Sequence, residues 1–222
     1  MANMASLEQD IAKTRTLTSV ETCSFCAEFL EEGHSSRIIY QDRNWVLAPT
    51  IGCFTVGYCL LIPRRHIRSM AELSQEGLEA ARLNLQRFRK VIEKHCGPAI
   101  LAEHGASAST NGAACCEHAH MHIIPVRFTE AVRFTYISRL GLPTRLNSIG
   151  ELKDLKGKAY LYLSSQEDEH FIWTEADSTR RQFARRVAAA AIGRPTEYDW
   201  RTFPFNREMK KTKELLTPLL AA

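Results

Sequence analysis

The chain has 222 residues, of which 45% are hydrophobic and 24% charged, and its formal net charge at pH 7 is +4. Such a composition is ordinary for a soluble globular protein, and the charge is too small to predict a nucleic-acid partner. No apolar run reaches the roughly 18 residues of a membrane span, and the polar N-terminus lacks a secretory signal's apolar segment. The seven cysteines then predict metal binding or free thiols in a cytoplasmic protein, rather than a disulfide framework.

The first half of the chain has the pattern of an antiparallel sheet. Residues 1–20 are polar and are expected to form a leader. Alternating apolar residues, rich in β-branched and aromatic types, are typical of half-buried strands. They predict a strand–turn–strand at 37–50 and further strands at 57–67, 99–105 and 117–126, with another at 131–137.

One long helix interrupts these strands. Apolar residues from Leu78 to Ile92 recur at helical spacing, which predicts a helix that packs one face on the sheet. Ser69-x-x-Glu72 resembles a capping box before this helix, and Gly97-Pro98 ends it. Strands and a helix in this order predict an α+β fold with a mostly antiparallel five-stranded sheet.

The pattern changes after about residue 140. Loop and a short helix are followed by a predicted hairpin, whose strands at 158–165 and 170–175 flank an acidic turn. A helix over 178–193, capped by Ser178 and closed by Gly193, and a last helix over 206–221 complete the chain. The predicted organisation is a leader (1–20), a main domain (21–138) and a C-terminal α/β extension (139–222).

Three histidines stand at alternate positions of one predicted strand. His118, His120 and His122 therefore share one face, while Met121 and Ile123 point to the other and are expected to pack on the helix. Imidazole binds zinc and also acts as a nucleophile or proton carrier near neutral pH. Alternate side chains on a strand are about 6.5–7 Å apart, which favours a division between a metal ligand and catalytic groups.

The sequence also offers thiol ligands for such a metal. Cys23-x-x-Cys26 has the spacing of a zinc site, and a redox dithiol shares that spacing. Two thiolates and two imidazoles complete a tetrahedral zinc shell. The predicted metal ligands are Cys23, Cys26, His66 and His118.

These motifs together resemble the histidine triad (HIT) superfamily. The run from His118 to Ile124 matches that family's His-φ-His-φ-His-φ-φ pattern, where φ is an apolar residue. "CSFC" and "GYCLLIPRRHI" match the family's opening in order, so the resemblance covers roughly residues 20–130. The C-terminal extension is similar to that of some bacterial, zinc-containing members.

The resemblance implies a HIT-like fold and an enzyme that attacks the α-phosphorus of an activated nucleotide, at a P–O–P or P–N bond. His120 would be the nucleophile and form a nucleotidyl-histidine, and His122 would donate to a phosphate oxygen or bridging atom. His118 would hold a structural zinc that orders the strand. The resemblance also implies a homodimer.

The loop over 105–117 is then expected to hold phosphate. Its small residues, among them Asn111 and Gly112, offer backbone N–H groups to an oxyanion, and Ser107, Ser109 and Thr110 offer hydroxyls. The sequence departs from the family where Cys115 replaces a polar residue before the triad. Glu103 would take the place of a common acidic or amide residue and contact the nucleotide, and His104 would be an additional acid or base or a loop histidine.

Two alternatives to hydrolysis remain open. The chain would be a zinc-containing nucleotide-binding protein with little catalysis. It would otherwise be a nucleotidyltransferase or phosphorylase whose extension supplies an acceptor pocket, with Trp173, Trp200 and Arg201 as candidate walls.

Overall fold

The structure is a computed structural model that describes residues 23–29, 37–105, 118–166, 169–174 and 181–220. The predicted leader lies outside these ranges. Within them, eight strands form one sheet in which every pairing is antiparallel. Among the described residues, none of the helices combines the length and apolarity needed to cross a membrane.

The strands of the sheet are short, and most are buried. They are β1 (Tyr40–Gln41), β2 (Trp45–Pro49), β3 (Cys59–Pro63), β4 (Ala99–Gly105), β5 (Met121–Pro125), β6 (Thr144–Leu146), β7 (Tyr160–Ser164) and β8 (His170–Trp173).

The helices lie on both faces of this sheet. They are α1 (Ser24–Phe29), α2 (Gln75–Cys96), α3 (Thr129–Leu140), α4 (Phe183–Ala191) and α5 (Asn206–Leu220), with 3₁₀ turns at Met70–Glu72 and Ile149–Leu155.

The strand order is β1-β2-β3-β5-β4-β7-β8-β6. The first five strands in sequence are the predicted five, and the α+β class is confirmed. The three strands of the C-terminal region extend the same sheet through the β4–β7 pairing, which the sequence analysis did not foresee. The domain boundaries drawn from the sequence stay a prediction.

One face of the sheet packs on α2. The apolar stripe of this helix is buried against Met121 and Ile123 of β5 and against Leu61 of β3. Leu216 and Leu220 of α5 join the same cluster. This arrangement leaves the opposite face of β5 for other partners, because successive side chains of a strand alternate between faces.

The second face packs on α3 and α4. Val132 and Tyr136 of α3 and Val187 and Ala188 of α4 share a buried cluster with Ala102 of β4. The C-terminal region therefore covers the face on which the histidines lie.

Two local predictions were wrong. Residues 131–137, predicted as a strand, belong to α3, because Val132 and Tyr136 recur four positions apart and bury one side of a helix. The capping-box prediction also fails. Ser69 precedes only a 3₁₀ turn and makes no capping hydrogen bond, whereas Ser74 caps α2 by accepting from Gly77 N.

The predicted C-terminal helices are present as α4 and α5. The Ser178 cap lies outside the described residues. Gly193 follows α4 with a positive φ of 80° and donates its N–H to the Ala190 carbonyl, as expected for a residue that ends a helix.

Candidate active site

The triad histidines occupy the sheet face that α3 and α4 cover. His122 pairs in register with Leu60 of β3 and Ala102 of β4, and both belong to the cluster on that face. The His120 and His122 ring centroids are 4.8 Å apart. β5 begins only at Met121, so His118 and His120 enter the site from the segment that precedes the strand.

A cavity of about 220 Å³ opens at this face. His104, His120 and His122 line it on the sheet side. Its other walls come from α1, the segment before β1, the β2–β3 loop and the C-terminal region, and include Phe25, Arg37, Gln182, Arg185 and Trp200.

One hydrogen bond fixes the tautomer of His120. Its Nδ1 lies 2.7 Å from the His118 carbonyl oxygen. A carbonyl only accepts, so Nδ1 carries the proton and Nε2 keeps its lone pair. Burial lowers the pKa of His120 to about 4, against the opposing effect of the bond to the His118 carbonyl. The imidazole is therefore neutral at pH 7.

His122 is held by Tyr58, the residue directly before β3. The Tyr58 hydroxyl lies 2.8 Å from His122 Nδ1, and both side chains are buried. Burial lowers the pKa of His122 well below its ordinary value. When the hydroxyl donates to Nδ1, the single proton of the neutral ring stands on Nε2.

The two neighbours Glu103 and His104 point to opposite faces of β4. His104 lines the cavity, and burial lowers its pKa. Glu103 accepts from Met70 N at 2.8 Å and from the Tyr160 hydroxyl at 2.5 Å on the α2 side. The predicted nucleotide contact of Glu103 is therefore wrong, because strand alternation turns its carboxyl away from the cavity.

Four side chains assigned to zinc from the sequence come together beside the triad. The ligand atoms of Cys23, Cys26, His66 and His118 all lie within 4.8 Å of one another. His118 Nδ1 is 3.5 Å from each sulfur, and His66 Nδ1 is 3.2 Å from Cys26 Sγ. His118 Nε2 lies 2.7 Å from the Pro63 carbonyl, so Nε2–H donates there and Nδ1 faces the sulfurs.

This donor set fits zinc. Zn–S bonds of about 2.3 Å and Zn–N bonds of about 2.0–2.1 Å at tetrahedral angles place S and N about 3.5 Å apart. The two sulfur-to-His118 distances of 3.5 Å match that edge. The cluster is thus suited to a metal with four protein ligands.

Helix α1 connects these four side chains, called the metal cluster because they could hold one ion, to the cavity. Cys23 and Cys26 lie at its start and middle, and between them Phe25 packs edge-on against both His118 and His120. Glu28 of the same helix pairs with Arg37, whose Nη1 also donates to the Pro49 carbonyl. The helix is therefore tied to the sheet through the cluster and through an ion pair.

Six predicted phosphate-binding residues lie outside the described residues, namely Ser107, Ser109, Thr110, Asn111, Gly112 and Cys115. Of the candidate walls of an acceptor pocket, Trp200 lines the cavity. Trp173 is buried, and its Nε1 donates to the Gly141 carbonyl. Arg201 is exposed beside the Trp200 ring.

Sequence reasoning missed several residues of the site, among them Phe25, Tyr58 and Arg185. Tyr58 and Leu60 are two positions apart and so point to the same face of the sheet, and Leu60 pairs with His122. The β3–β5 register could therefore have predicted that Tyr58 lies near His122. Arg185 has no such signal, because nothing in its helix specifies which residues of the distant β2–β3 loop it meets.

Comparisons with known proteins identify related chains. The HIT domain family matches residues 31–129. Two uncharacterised HIT-like proteins of Mycobacterium tuberculosis, from two strains, are each 30% identical over 108 residues, which is 47% of this chain and 72% of each relative.

Solved structures of the same kind are also similar. A Zn-bound histidine triad family protein from Mycobacterium smegmatis is 25% identical with a TM-score of 0.40, over 48% of this chain and 76% of that one. A HIT-like protein from Bartonella henselae is 23% identical with a TM-score of 0.40, over 47% and 79%. With 30% identity over 72% of its curated relatives, the chain belongs to the HIT family.

Proposed function

We propose that this protein is a nucleotide-binding hydrolase or nucleotidyltransferase. It attacks the α-phosphorus of an activated nucleotide, at a P–O–P or P–N bond, through a nucleotidyl-histidine intermediate. The observation that carries the proposal is the His120 Nδ1 bond to the His118 carbonyl at 2.7 Å. This bond reserves Nε2, with its lone pair, as the nucleophile.

The proposed reaction has two displacements. His120 Nε2 forms a bond to the α-phosphorus while the bond from phosphorus to the leaving group breaks. Water or another acceptor then attacks the same phosphorus and gives its proton to His122 Nε2, which lost one to the leaving group in the first displacement. The P–N bond breaks, and the His120 lone pair is restored. This second step is easy because the intermediate is a labile phosphoramidate: Nδ1 keeps its proton, so the ring of the intermediate is cationic and leaves as neutral imidazole.

His122 is the proposed proton donor. Its Nδ1 is engaged by the Tyr58 hydroxyl at 2.8 Å, which directs Nε2–H at a phosphate oxygen or at the departing atom. His104 lines the same cavity and stands as an additional acid or base. The assignment of His122 follows from its position and hydrogen bond, and that of His104 follows from its position in the cavity wall.

Zinc in the Cys23–Cys26–His66–His118 cluster is proposed to be structural. Four protein ligands leave no open coordination position for water or substrate. Its effect on the reaction is to hold α1 and His118 in place beside His120.

A transferase with a dedicated acceptor is the second candidate. The observation in its favour is that Gln182, Arg185 and Trp200 of the C-terminal region line the histidine cavity. These side chains restrict which acceptor can approach the intermediate. Assembly as a homodimer and a cytoplasmic location stay predictions from the sequence.

Turnover of a panel of activated nucleotides tests the proposal, with products identified by mass. Dinucleoside polyphosphates, nucleoside phosphoramidates and adenylylated metabolites make up the panel, and water, phosphate, amines and sugars serve as acceptors. We expect wild-type turnover, a labelled nucleotidyl-protein in rapidly quenched samples, and loss of both in His120→Asn with nucleotide binding retained.

Tight nucleotide binding without turnover of any panel member would show a binding protein with little catalysis. Turnover that persists in His120→Asn would refute the nucleotidyl-histidine pathway.

A further inference from the structure

Arg185 is a buried cation beside the triad. It lies on α4, is 4% exposed and lines the same cavity as His120 and His122. Its guanidinium donates to three neutral oxygens, namely the Tyr198 and Gly52 carbonyls and the Thr50 hydroxyl, at 2.9, 2.5 and 3.2 Å. A guanidinium has five N–H donors, so two remain for a ligand.

Arg185 forms no ion pair in the described part of the chain, although the Asp199 carboxylate is near enough to interact with its charge. No carboxylate there lies within ion-pair distance of its guanidinium, in contrast to the half-buried pair of Arg37 and Glu28. The guanidinium lies instead 5.3 Å from the Phe54 ring centroid and 5.2 Å from that of Tyr58. A buried charge without a direct ion pair is costly, so an anion in the cavity would stabilise this arrangement.

Arg185 is also held rigidly against the β2–β3 loop. Gly52 adopts a positive φ of 70°, and an added Cβ there would lie 2.6 Å from Arg185 Nη2 and 2.6 Å from Trp200 Cβ. Gly52 N donates to the Pro204 carbonyl at 2.9 Å. The loop and the C-terminal segment therefore pack too closely for any residue but glycine at this position.

A strained residue stands one turn before Arg185. Gln182 adopts a left-handed conformation with φ of 55°, and its Nε2 donates to Asp199 at 3.0 Å. Its Oε1 is buried and, among the described residues, has no hydrogen-bond partner. Strained backbone that persists at a cavity wall is a mark of binding sites.

We propose that Arg185 is a phosphate-binding residue of the active site, supplied by the C-terminal extension. Its two remaining N–H groups bind the non-bridging oxygens of the nucleotide's phosphate and orient the α-phosphorus for His120. The inference rests on the proposed function, since it takes the cavity to be the nucleotide site. It makes the extension part of the catalytic unit.

Paired ligands that differ only in the phosphate test this proposal. Affinities of nucleoside 5′-monophosphates and the matching nucleosides are measured by calorimetry for wild type, Arg185→Met and Arg89→Met. Arg89 is a matched control, since it is also buried but binds Ser164 and Ser165 away from the cavity. A lost charged hydrogen bond corresponds to about a 10- to 100-fold change.

We expect Arg185→Met to lose at least about 10-fold in affinity for the monophosphate and less than about 2-fold for the nucleoside. Arg89→Met should change neither. Equal losses for both ligands, or no loss for either, would overturn the proposal, because they would show a structural contact only.

Arg185→Lys keeps the charge and provides a second measurement should the methionine variant fail to fold. We expect it to lose roughly 3-fold or more for the monophosphate alone, because a lysine cannot keep the three donors and reach the phosphate as well. Wild type that binds no nucleoside monophosphate would instead refute the proposed function. Wild type that turns over nucleotides without phosphate-selective loss in the Arg185 variants would refute this inference alone.

Discussion

The rings of Phe25 and His120 meet edge-on, with centroids 5.3 Å apart and planes 87° apart. Phe25 lies between two residues of the metal cluster, Cys23 and Cys26. The metal cluster therefore fixes a wall against which the proposed nucleophile rests, although none of its four side chains is proposed to touch the substrate.

Phe25→Leu should lower turnover without removing the metal. The smaller side chain leaves the His120 ring free to tilt, and small misplacements of a catalytic group cost roughly 10-fold in rate. Steady-state kinetics and metal analysis of the purified variant measure the two effects. Phe128→Leu is the control, since Phe128 is exposed, and unchanged turnover in Phe25→Leu would contradict the positioning role.

Cys23→Ser should lose the metal and with it stability. Wild type is expected to contain about one equivalent of zinc per chain, and chelation should lower its melting temperature, because metal binding adds to folding free energy. Cys96→Ser, at a half-buried thiol outside the cluster, should retain the metal. A metal-free wild type with a reducible Cys23–Cys26 disulfide would instead show a redox motif.

Tyr58→Phe should reduce turnover by about 10-fold while leaving the fold intact. The hydroxyl bonded to His122 Nδ1 is lost, so the proton is no longer directed to Nε2. Tyr136→Phe is a matched control, because the Tyr136 hydroxyl is buried and has no hydrogen-bond partner among the described residues. Equal turnover in the two variants would contradict the claim that the Tyr58 hydroxyl directs the His122 proton to Nε2.

Glu103 should make the protein less stable as pH rises. Burial raises the pKa of Glu103 to about 7, which outweighs the hydrogen bonds from Tyr160 and Met70, while the charge of Glu72 adds to the rise. Between its ordinary value of 4.5 and about 7 the folded state binds more protons than the unfolded state. Stability then falls with rising pH, by up to about 1.4 kcal/mol per pH unit.

Denaturant unfolding from pH 4.5 to 8 measures this dependence. Glu103→Gln should weaken this pH dependence, so that the stability of the variant relative to that of wild type increases as pH rises. A difference between the two proteins that stays constant with pH would show that Glu103 is ionised throughout.

Local patterns in the sequence predicted much of the fold and part of the candidate site. Strict alternation placed Met121 and Ile123 opposite the histidines, and the apolar spacing of α2 predicted the helix that covers them. The metal cluster was predictable because thiols and imidazoles at such spacings have few other uses. The alternation of side chains along β4 would also have predicted that His104 and Glu103 point to opposite faces of the sheet.

The remaining features depend on contacts between distant segments. Arg185 meets Thr50 and Gly52 across more than 130 residues of chain, and no local periodicity encodes that contact. Local periodicity does not encode the pairing of β7 with β4 either, because a hairpin pattern predicts its own two strands and not the strand with which they pair.

The docking of β7 changes what β4 can do. In a sheet of the first five strands alone, β4 would be an edge, with the backbone groups of seven residues open to a strand of another molecule. Here β7 occupies that position, and the sheet ends instead in β1 and β6, which have two and three residues. The extension thus removes β4 from strand-by-strand association with another molecule, and the strand edges that stay open are the two shortest ones of the sheet.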